Sequence, residues 1–269
     1  MNFWNKNLPQ KYFSKIIRAV VEFDMIQDGD KILIGLSGGK DSLFLTYALA
    51  NLKKRLARNF SIYAITINPK FTDDFNKNVP VLENFCRELE IPFQLQEVDI
   101  NGAIKNSKEN PCFTCAYFRR GAINRVAKEI GANKIAYAHH LDDAVETFFM
   151  SLLSSGQLTT FLPKTFLSRT GLTVIRPLVY LREKEIFGFI AKNNFGVIKS
   201  PCPIDGTTNR QTVKNLIVEL GKIYPDLFER LASAMRKNSV IDLWDAPKTK
   251  SEMHEIYFSY VHKKSADNS

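Results

Sequence analysis

Residues 31–42, Lys-Ile-Leu-Ile-Gly-Leu-Ser-Gly-Gly-Lys-Asp-Ser, join a short apolar run to a glycine-rich turn. The apolar run predicts a buried parallel β-strand, and the apolar stretch 43–49 that follows predicts a helix. A turn between a strand and a helix presents backbone N–H groups and the positive end of the helix dipole to one point. We therefore expect this turn to bind an anion, with phosphate as the natural candidate.

The side chains of the turn also suit a phosphate ligand. Two hydroxyls add donors, the lysine supplies a point charge for a phosphate oxygen, and the aspartate can hold a divalent cation between phosphates. Two glycines let the backbone approach the anion closely. The spacing is not that of a Walker A loop, and a glycine turn without a ligand is the alternative. The candidate nucleotide-binding residues are Ser37, Gly38, Gly39, Lys40, Asp41 and Ser42.

The composition is that of an ordinary globular chain. With 269 residues, 45% of them hydrophobic and 24% charged, the chain can bury a full core. It has no apolar run of transmembrane length and no apolar signal-peptide core, so we expect a cytoplasmic protein without a membrane partner. The net charge of +9 favours a polyanionic partner, although a merely basic surface would give the same value.

Predicted strands and helices alternate along the chain, which favours right-handed βαβ units and an α/β fold with a parallel sheet. We expect strands at 31–36, 61–67, 93–98, 134–138 and before Arg176, and helices at about 9–25, 77–90, 115–130 and 182–194. Residues 101–111 and 156–173 are predicted to be loops. The predicted regions are an N-terminal helix (1–30), a nucleotide-binding domain (31–200), a third-cysteine loop with a C-terminal helical section (201–248) and a polar tail (249–269).

A second polar motif, His-His-Leu-Asp-Asp at 139–143, follows the predicted strand 134–138. The carboxyl ends of parallel strands share one sheet edge, so this motif should lie on the same edge as the phosphate turn. Aspartates at a helix start are ordinary caps. Beside a phosphate turn, however, a carboxylate can bind Mg²⁺ or take a proton from a nucleophile. Asp142 and Asp143 are therefore candidate functional residues.

Three of the four cysteines form the third signal. Cys112 and Cys115 are spaced as Cys-x-x-Cys, which serves redox couples, zinc sites and iron–sulfur clusters. A structural zinc site needs four ligands and the chain has no second pair, which leaves Cys202 as the candidate third ligand. Three thiolates on a [4Fe–4S] cluster leave one iron open, and this suits an external sulfur species. Cys86 lies on the apolar face of a predicted helix and is expected to be a core thiol.

The turn Ser-Gly-Gly-Lys-Asp-Ser resembles the PP-loop of ATP pyrophosphatases, which split ATP into AMP and pyrophosphate while adenylating a substrate. The order of all the motifs resembles the TtcA family, in the TtcA/TtuA group of tRNA thiolation enzymes that includes makers of 2-thiocytidine. These motifs are the PP-loop, Cys112–Cys115 with Arg119-Arg120-Gly121, His139–Asp143, Arg176-Pro177-Leu178, Arg182–Ile186 and Pro201-Cys202.

This resemblance implies an adenine-nucleotide α-hydrolase-like sheet and an ATP-dependent tRNA sulfurtransferase. It implies ATP and Mg²⁺ at 37–42, a [4Fe–4S] cluster on the three cysteines, and Lys40, Arg119 and Asp143 near the reacting phosphate. The expected partners are tRNA and a sulfur donor, either a cysteine desulfurase or sulfide, and a homodimer is left open. The chain departs from the family pattern at Asp205, where a second cysteine is usual, so a carboxylate could occupy or gate the open iron.

Two other functions fit parts of the pattern. A tRNA lysidine synthetase shares the PP-loop and an Asp-rich motif but needs no cysteine trio. A metal-stabilised RNA-binding or redox-sensing protein without catalysis would keep the cysteines, although intact Lys40, Asp41 and Asp143 argue against it. For RNA, we expect contacts from basic residues near both ends of the chain, namely Lys11, Lys15, Arg18, Arg210, Lys214, Arg236 and Lys237.

Overall fold

In the computed structural model of this protein, the described residues are 7–198, 202, 209–236 and 249–261. Among them, no helix is both long enough and apolar enough to cross a membrane. The strands are β1 (Lys31–Gly35), β2 (Ser61–Asn68), β3 (Phe93–Glu97), β4 (Lys134–Ala136), β5 (Lys164–Leu167) and β6 (Leu172–Ile175). The helices are α1 (Gln10–Glu22), α2 (Lys40–Arg55), α3 (Val79–Glu88), α4 (Ile100–Lys105), α5 (Pro111–Glu129), α6 (Leu141–Ser155), α7 (Glu183–Lys192), α8 (Asn209–Ile223), α9 (Leu227–Ala234) and α10 (Lys250–Val261).

The six strands form one sheet in the order β3-β2-β1-β4-β6-β5. All neighbouring strands are parallel except β5 and β6, which are antiparallel. The predicted parallel sheet is therefore confirmed, with one antiparallel strand at its edge. That strand arises inside 156–173, which the sequence predicted to be a loop, because 164–167 and 172–175 pair as a hairpin.

The chain leaves β1 in one direction, toward β2 and β3, and later returns to add β4 on the other side of β1. In α/β sheets this change of direction opens a crevice at the carboxyl ends of the two central strands, where ligands bind. The register pairs Ile34 of β1 with Ala136 of β4. The phosphate turn after β1 and the His-His-Leu-Asp-Asp motif after β4 are thus neighbours, as the sequence predicted.

The core has one apolar layer on each face of the sheet, because side chains of a strand alternate between its faces. On one face, Ile32 and Ile34 of β1 pack among α1, α2, α3 and α7. On the other face, Leu33 packs against Ile123 and Val126 of α5. Helix α2 lies in the same layer as α1, α3 and α7, and its residues 42–52 are all buried. A buried α2 fixes its own N-terminus, where the phosphate turn ends.

Besides β5, three elements differ from the sequence-based expectation. Helix α4 occupies the start of 101–111, which the sequence predicted to be a loop, because the Asp99 side chain caps this helix by accepting a hydrogen bond from the Gly102 N–H at 2.9 Å. The cysteine pair was expected in a loop before a helix at 115, but α5 begins at Pro111, so Cys112 and Cys115 lie in its first turn. The reason is local, because Pro111 suits the first helical position and the Asn110 side chain accepts a hydrogen bond from the Cys112 N–H at 2.9 Å. The described part of the expected polar tail also forms a helix, α10.

Candidate active site

The phosphate turn has a backbone that only glycine adopts easily. Gly38 has φ +83°, and a Cβ atom there would lie 2.9 Å from the Cδ1 of Ile198. The N–H of Ile198 donates to the carbonyl of Gly38 at 2.9 Å. The segment that leads toward Cys202 is therefore packed directly on the phosphate turn.

The two serines of the turn hold its shape. The Oγ atoms of Ser37 and Ser42 lie 3.1 Å apart, and the Ser42 hydroxyl donates to the carbonyl of Gly39 at 2.9 Å. Gly39 caps α2 in an extended conformation, and no side chain caps this helix start. Its first N–H groups are thus left for a ligand, as expected of an anion-binding helix start.

Lys40 lies between two carboxylates. Its Nζ is 2.9 Å from the Oδ2 of Asp41 and 3.0 Å from the Oε1 of Glu183. Burial lowers the pKa of Lys40, but the two carboxylates outweigh burial, and the net effect is a raised pKa. Lys40 is therefore held as a cation at the mouth of the turn, where a phosphate could replace a carboxylate as its partner.

Asp41 has one unsatisfied oxygen. Its Oδ1 is buried and accepts no hydrogen bond within the described part of the chain, and the Nε2 of His140 is 3.8 Å from it. A buried carboxylate oxygen without a partner is costly, so it indicates a site for a cation or a donor supplied from outside. This observation fits the role predicted for Asp41 in holding a divalent cation.

The two aspartates at the start of α6 have different surroundings. Asp142 accepts three hydrogen bonds from the guanidinium of Arg182, at 3.1 to 3.2 Å, and one from the N–H of Glu183 at 2.7 Å. It therefore fastens α7 to α6. Asp143 closes a capping box with His140, in which its Oδ2 accepts from the His140 N–H at 3.0 Å. The Oδ1 of Asp143 lies 3.7 Å from Arg210, a longer contact than those between Asp142 and Arg182, so Asp143 is the less constrained of these two aspartates.

Helix α8 brings two cations to the same place. Arg210 lies 3.4 Å from Glu146 and donates to the Thr147 hydroxyl at 3.2 Å. Lys214 forms a 2.6 Å ion pair with Glu183. The sequence analysis assigned both cations to RNA contacts, whereas the structure gives each of them carboxylate partners inside the site. Glu183 had no predicted role, and the only signal for it was its place in the motif at 182–186.

His139 and Arg176 form a pair beside this cluster. The Nε of Arg176 donates to the Nδ1 of His139 at 3.1 Å. Burial has the largest effect on His139, and together with Arg176 and Arg210 it outweighs the opposing effect of Asp143 and lowers the pKa of this imidazole to about 4. His139 is therefore neutral near pH 7 and serves as a hydrogen-bond acceptor.

The three predicted ligand cysteines lie near one another at the start of α5. Cys112 is exposed, and Cys115 and Cys202 are partly buried. Burial raises the pKa of Cys115, Arg119 lowers it, and the Cys202 and Cys112 thiols raise it again, so their charges act on one another. Of the described His, Cys, Asp and Glu side chains, no three are arranged to hold a single metal ion. Asp205, the departure from the family pattern, lies outside the described residues.

Two further observations separate the reactive region from the core. Burial raises the pKa of Cys86 to about 12, so this thiol is inert and matches the predicted core thiol.

Arg119 lies four positions after Cys115 on α5. In the described structure its Nε is buried and has no hydrogen-bond partner. An unsatisfied guanidinium beside the thiols points to an anionic ligand.

The site lies where the strand order of a parallel sheet changes direction, and it combines the N–H groups of a glycine turn with a lysine and an unsatisfied carboxylate. This combination is typical of nucleotide-binding α/β proteins of the PP-loop type. A family model described as a PP-loop domain matches residues 9–220. Two curated relatives, both named tRNA-cytidine(32) 2-sulfurtransferase, are 34% identical to this chain. The one from Geobacter sulfurreducens is aligned over 87% of this chain and 92% of its own, and the one from Ralstonia pickettii over 88% and 76%.

A solved structure, the U34-tRNA thiolase NcsA from Methanococcus maripaludis with its [4Fe-4S] cluster, superimposes with a TM-score of 0.71 at 26% identity. The match covers 87% of this chain and 79% of that one. This chain belongs to the PP-loop family that includes the tRNA-cytidine(32) 2-sulfurtransferases. The family expected from the order of the motifs is therefore confirmed.

Glu183 provides a test of the site's electrostatics. Burial raises its pKa, but hydrogen bonds and charges from Lys214 and Lys40 lower it from 4.5 to about 2. A carboxylate with a lowered pKa stabilises the fold above its unfolded pKa and loses this effect as the pH falls through its folded pKa. We therefore expect Glu183→Gln to lower the Tm at pH 7. A loss of about 1 kcal/mol in the free energy of unfolding would lower the Tm of a protein of this size by about 2–4 °C.

The deficit should shrink as the pH falls from 4.5 toward 2. Thermal unfolding from pH 7 to pH 2 would measure it. The control is Glu219→Gln, which removes an exposed carboxylate paired with Lys222 and should change Tm little at any pH. A Glu183→Gln deficit that is independent of pH would contradict the ion-pair account.

Proposed function

We propose that this protein is an ATP-dependent tRNA sulfurtransferase that replaces the C2 oxygen of a tRNA base, a cytidine, by sulfur. The observation that supports this proposal is that the PP-loop and the cysteine cluster lie next to each other. The PP-loop lies at the carboxyl end of β1, and the Ile198 segment next to it leads to Cys202, which interacts with Cys115 of α5. The orphaned Nε of Arg119 lies on the same helix as the cysteine pair. The names of the curated relatives support cytidine as the base.

The reaction needs ATP because an amide-like carbonyl oxygen is a very poor leaving group. The C2 oxygen attacks the α-phosphate, a new O–P bond forms, and pyrophosphate leaves with the electrons of the broken P–O bond. Hydrosulfide then attacks C2, and the C–O bond breaks as AMP leaves. A cysteine desulfurase delivers its sulfur as a persulfide, so with that donor a second thiol must supply two electrons to cleave the S–S bond. Both steps build negative charge on phosphate oxygens, so the site must offer fixed donors and cations.

The chain's own residues match that requirement. The N–H groups at the start of α2 and the cation of Lys40 would bind the leaving pyrophosphate. Arg119, with its unsatisfied Nε, would stabilise charge on the α-phosphate from the side of the cysteines. Because the C2 oxygen of cytidine carries no proton, Asp143 would instead take the proton of the attacking hydrosulfide, with Arg210 beside it. Mg²⁺ would be held at Asp41, where it would offset phosphate charge.

The cysteines fit an iron–sulfur group. Cys112, Cys115 and Cys202 are not in disulfides, and they supply the soft thiolate ligands that such clusters require. Each thiolate of a [4Fe–4S] cluster binds a different iron, so three ligands of a cluster need not converge on one ion. When bound, the cluster would supply an iron that lacks a protein ligand and can accept sulfur. We propose that the reaction takes place in the cytoplasm, where tRNA substrates are found.

The first test concerns the PP-loop lysine. Lys40→Ala removes a cation that stabilises phosphate charge, and we expect ATP-dependent pyrophosphate release to fall by about 10²-fold. The matched control is Lys53→Ala, an exposed lysine in the last turn of the same helix, which should keep the wild-type rate. A wild-type rate in Lys40→Ala would show that this turn is not the phosphate site.

The second test concerns the cysteines. Each of Cys112→Ala, Cys115→Ala and Cys202→Ala should lose bound iron and acid-labile sulfide, because each removes one of three ligands. Cys86→Ala is the control and should keep both, since this thiol is in the core. Iron, sulfide and the visible spectrum are measured on protein purified without oxygen. Iron that needs Cys86 and survives loss of Cys202 would overturn the ligand set.

A further inference from the structure

The basic residues near both ends of the chain have partners within the protein. Lys15 forms a 2.8 Å ion pair with Glu185, and Arg236 forms one of 3.0 Å with Glu22. Arg18 also pairs with Glu22, while Arg210 and Lys214 bind carboxylates of the active site. Lys237 lies outside the described residues. The RNA contacts expected from these residues remain a prediction, but each described pair would have to loosen before a phosphate could replace the carboxylate.

A groove on the face of the sheet covered by α5 differs from these ion-paired surfaces, because it is lined by exposed aromatic rings and arginines. It lies between α5 and the β5–β6 hairpin and has a volume of about 610 Å³. Its wall carries aromatic rings that are unusually exposed, since Tyr117 is 55% and Phe166 is 66% exposed. Gly121 also lines the groove, and a Cβ atom at this position would meet nothing within 4 Å. The side chains that matter here are Tyr117, Phe118, Phe166, Arg120, Arg125 and Arg169.

The groove is positively charged. Its lining contains three arginines and no acidic residue. Among the described residues, the one ion-pair partner of Arg125 is Glu129, at 3.9 Å between exposed side chains. In the described structure, no carboxylate lies within ion-pair distance of Arg120 or Arg169. Cations without acidic partners beside exposed rings fit a ligand that has both phosphates and flat rings.

The groove lies on a different side of helix α5 from the cysteines. Tyr117 is two positions after Cys115, which turns its side chain by about 200° around the helix. The hairpin end of the groove is at the amino end of the parallel strands, because Thr173 of β6 pairs with Lys134 at the start of β4 and with Phe166 of β5. A strand in the groove is therefore held away from the PP-loop, and it can reach the reaction site only around α5.

We propose that this groove binds unpaired nucleotides of the tRNA at a distance from the modified base, an inference that rests on the proposed function. Unpaired bases stack on aromatic side chains, and arginines bind the intervening phosphates. A fully paired duplex hides its bases and cannot use the rings. A second copy of this chain is a poorer occupant, because two arginine-lined grooves repel one another.

The test uses two variants with matched controls on α7, across the sheet. Phe166→Ala removes an exposed ring and Arg169→Ala removes an exposed cation. Phe187→Ala and Lys192→Ala are the controls, and Phe187 is 61% exposed. Binding to a labelled tRNA anticodon stem-loop and to a fully paired RNA of equal length is measured over a series of salt concentrations, together with ATP affinity.

Phe166→Ala should bind the stem-loop about tenfold more weakly and leave the paired RNA unchanged, since stacking needs an unpaired base. Arg169→Ala should reduce the salt slope of log K by about 0.7, the contribution of one single-strand phosphate contact. Both variants should keep wild-type ATP affinity, and both controls should bind both RNAs as the wild type does.

Three results would overturn the proposal. Wild-type stem-loop affinity in both groove variants would show that the groove does not contact RNA, while the proposed function would still stand. A change in oligomeric state with unchanged RNA affinity would identify a surface between copies of the chain. A wild-type protein that binds no tRNA would overturn both this proposal and the proposed function.

Discussion

The parallel pairing of β1 with β4 is the constraint on which the site depends. Because these strands are neighbours and point the same way, the two polar motifs that follow them meet at one edge of the sheet. The burial of α2 then fixes the helix start whose N–H groups face the phosphate turn. The hydrogen bond between Ile198 and Gly38 links the segment leading toward Cys202 to the same turn. Loss of the β1–β4 register would separate the PP-loop, the acidic motif and the cysteines.

Opposite charges organise the site in the absence of phosphate. Glu183 binds both Lys40 of the PP-loop and Lys214 of α8, and Arg210 of α8 faces Asp143 and Glu146. These contacts keep the cations at the mouth of the turn, already partly desolvated. A triphosphate offers the same cations stronger partners, so ligand binding exchanges carboxylates for phosphates without assembling the site anew. Among the described residues, Asp41 Oδ1 and Arg119 Nε are buried without a hydrogen-bond partner. These two atoms indicate where a ligand would supply the missing partners.

The sequence predicted the fold class and the neighbouring positions of the two motifs, because hydrophobic runs and glycine turns are local signals and parallel topology follows from them. It misplaced the cysteine pair, since the cap at Asn110 and Pro111 is weaker as a signal than the loop-like composition before it. It missed the β5 strand, which exists only because β6 pairs with it. It also missed Glu183, whose role depends on two lysines that are 143 and 31 residues away from it in the chain. Partnerships of this kind are set by tertiary packing and leave no periodic pattern.

We propose that adenylation at the PP-loop and sulfur transfer at the cysteines occur in one reaction on tRNA. To test this coupling, anaerobically purified protein is incubated with tRNA, ATP, Mg²⁺ and sulfide, and AMP and thiolated nucleosides are quantified from the same samples. We expect AMP and 2-thiocytidine in equal amounts, with neither formed when ATP or tRNA is left out. AMP formation with a tRNA that gains no sulfur, or that gains lysine at the base, would contradict it.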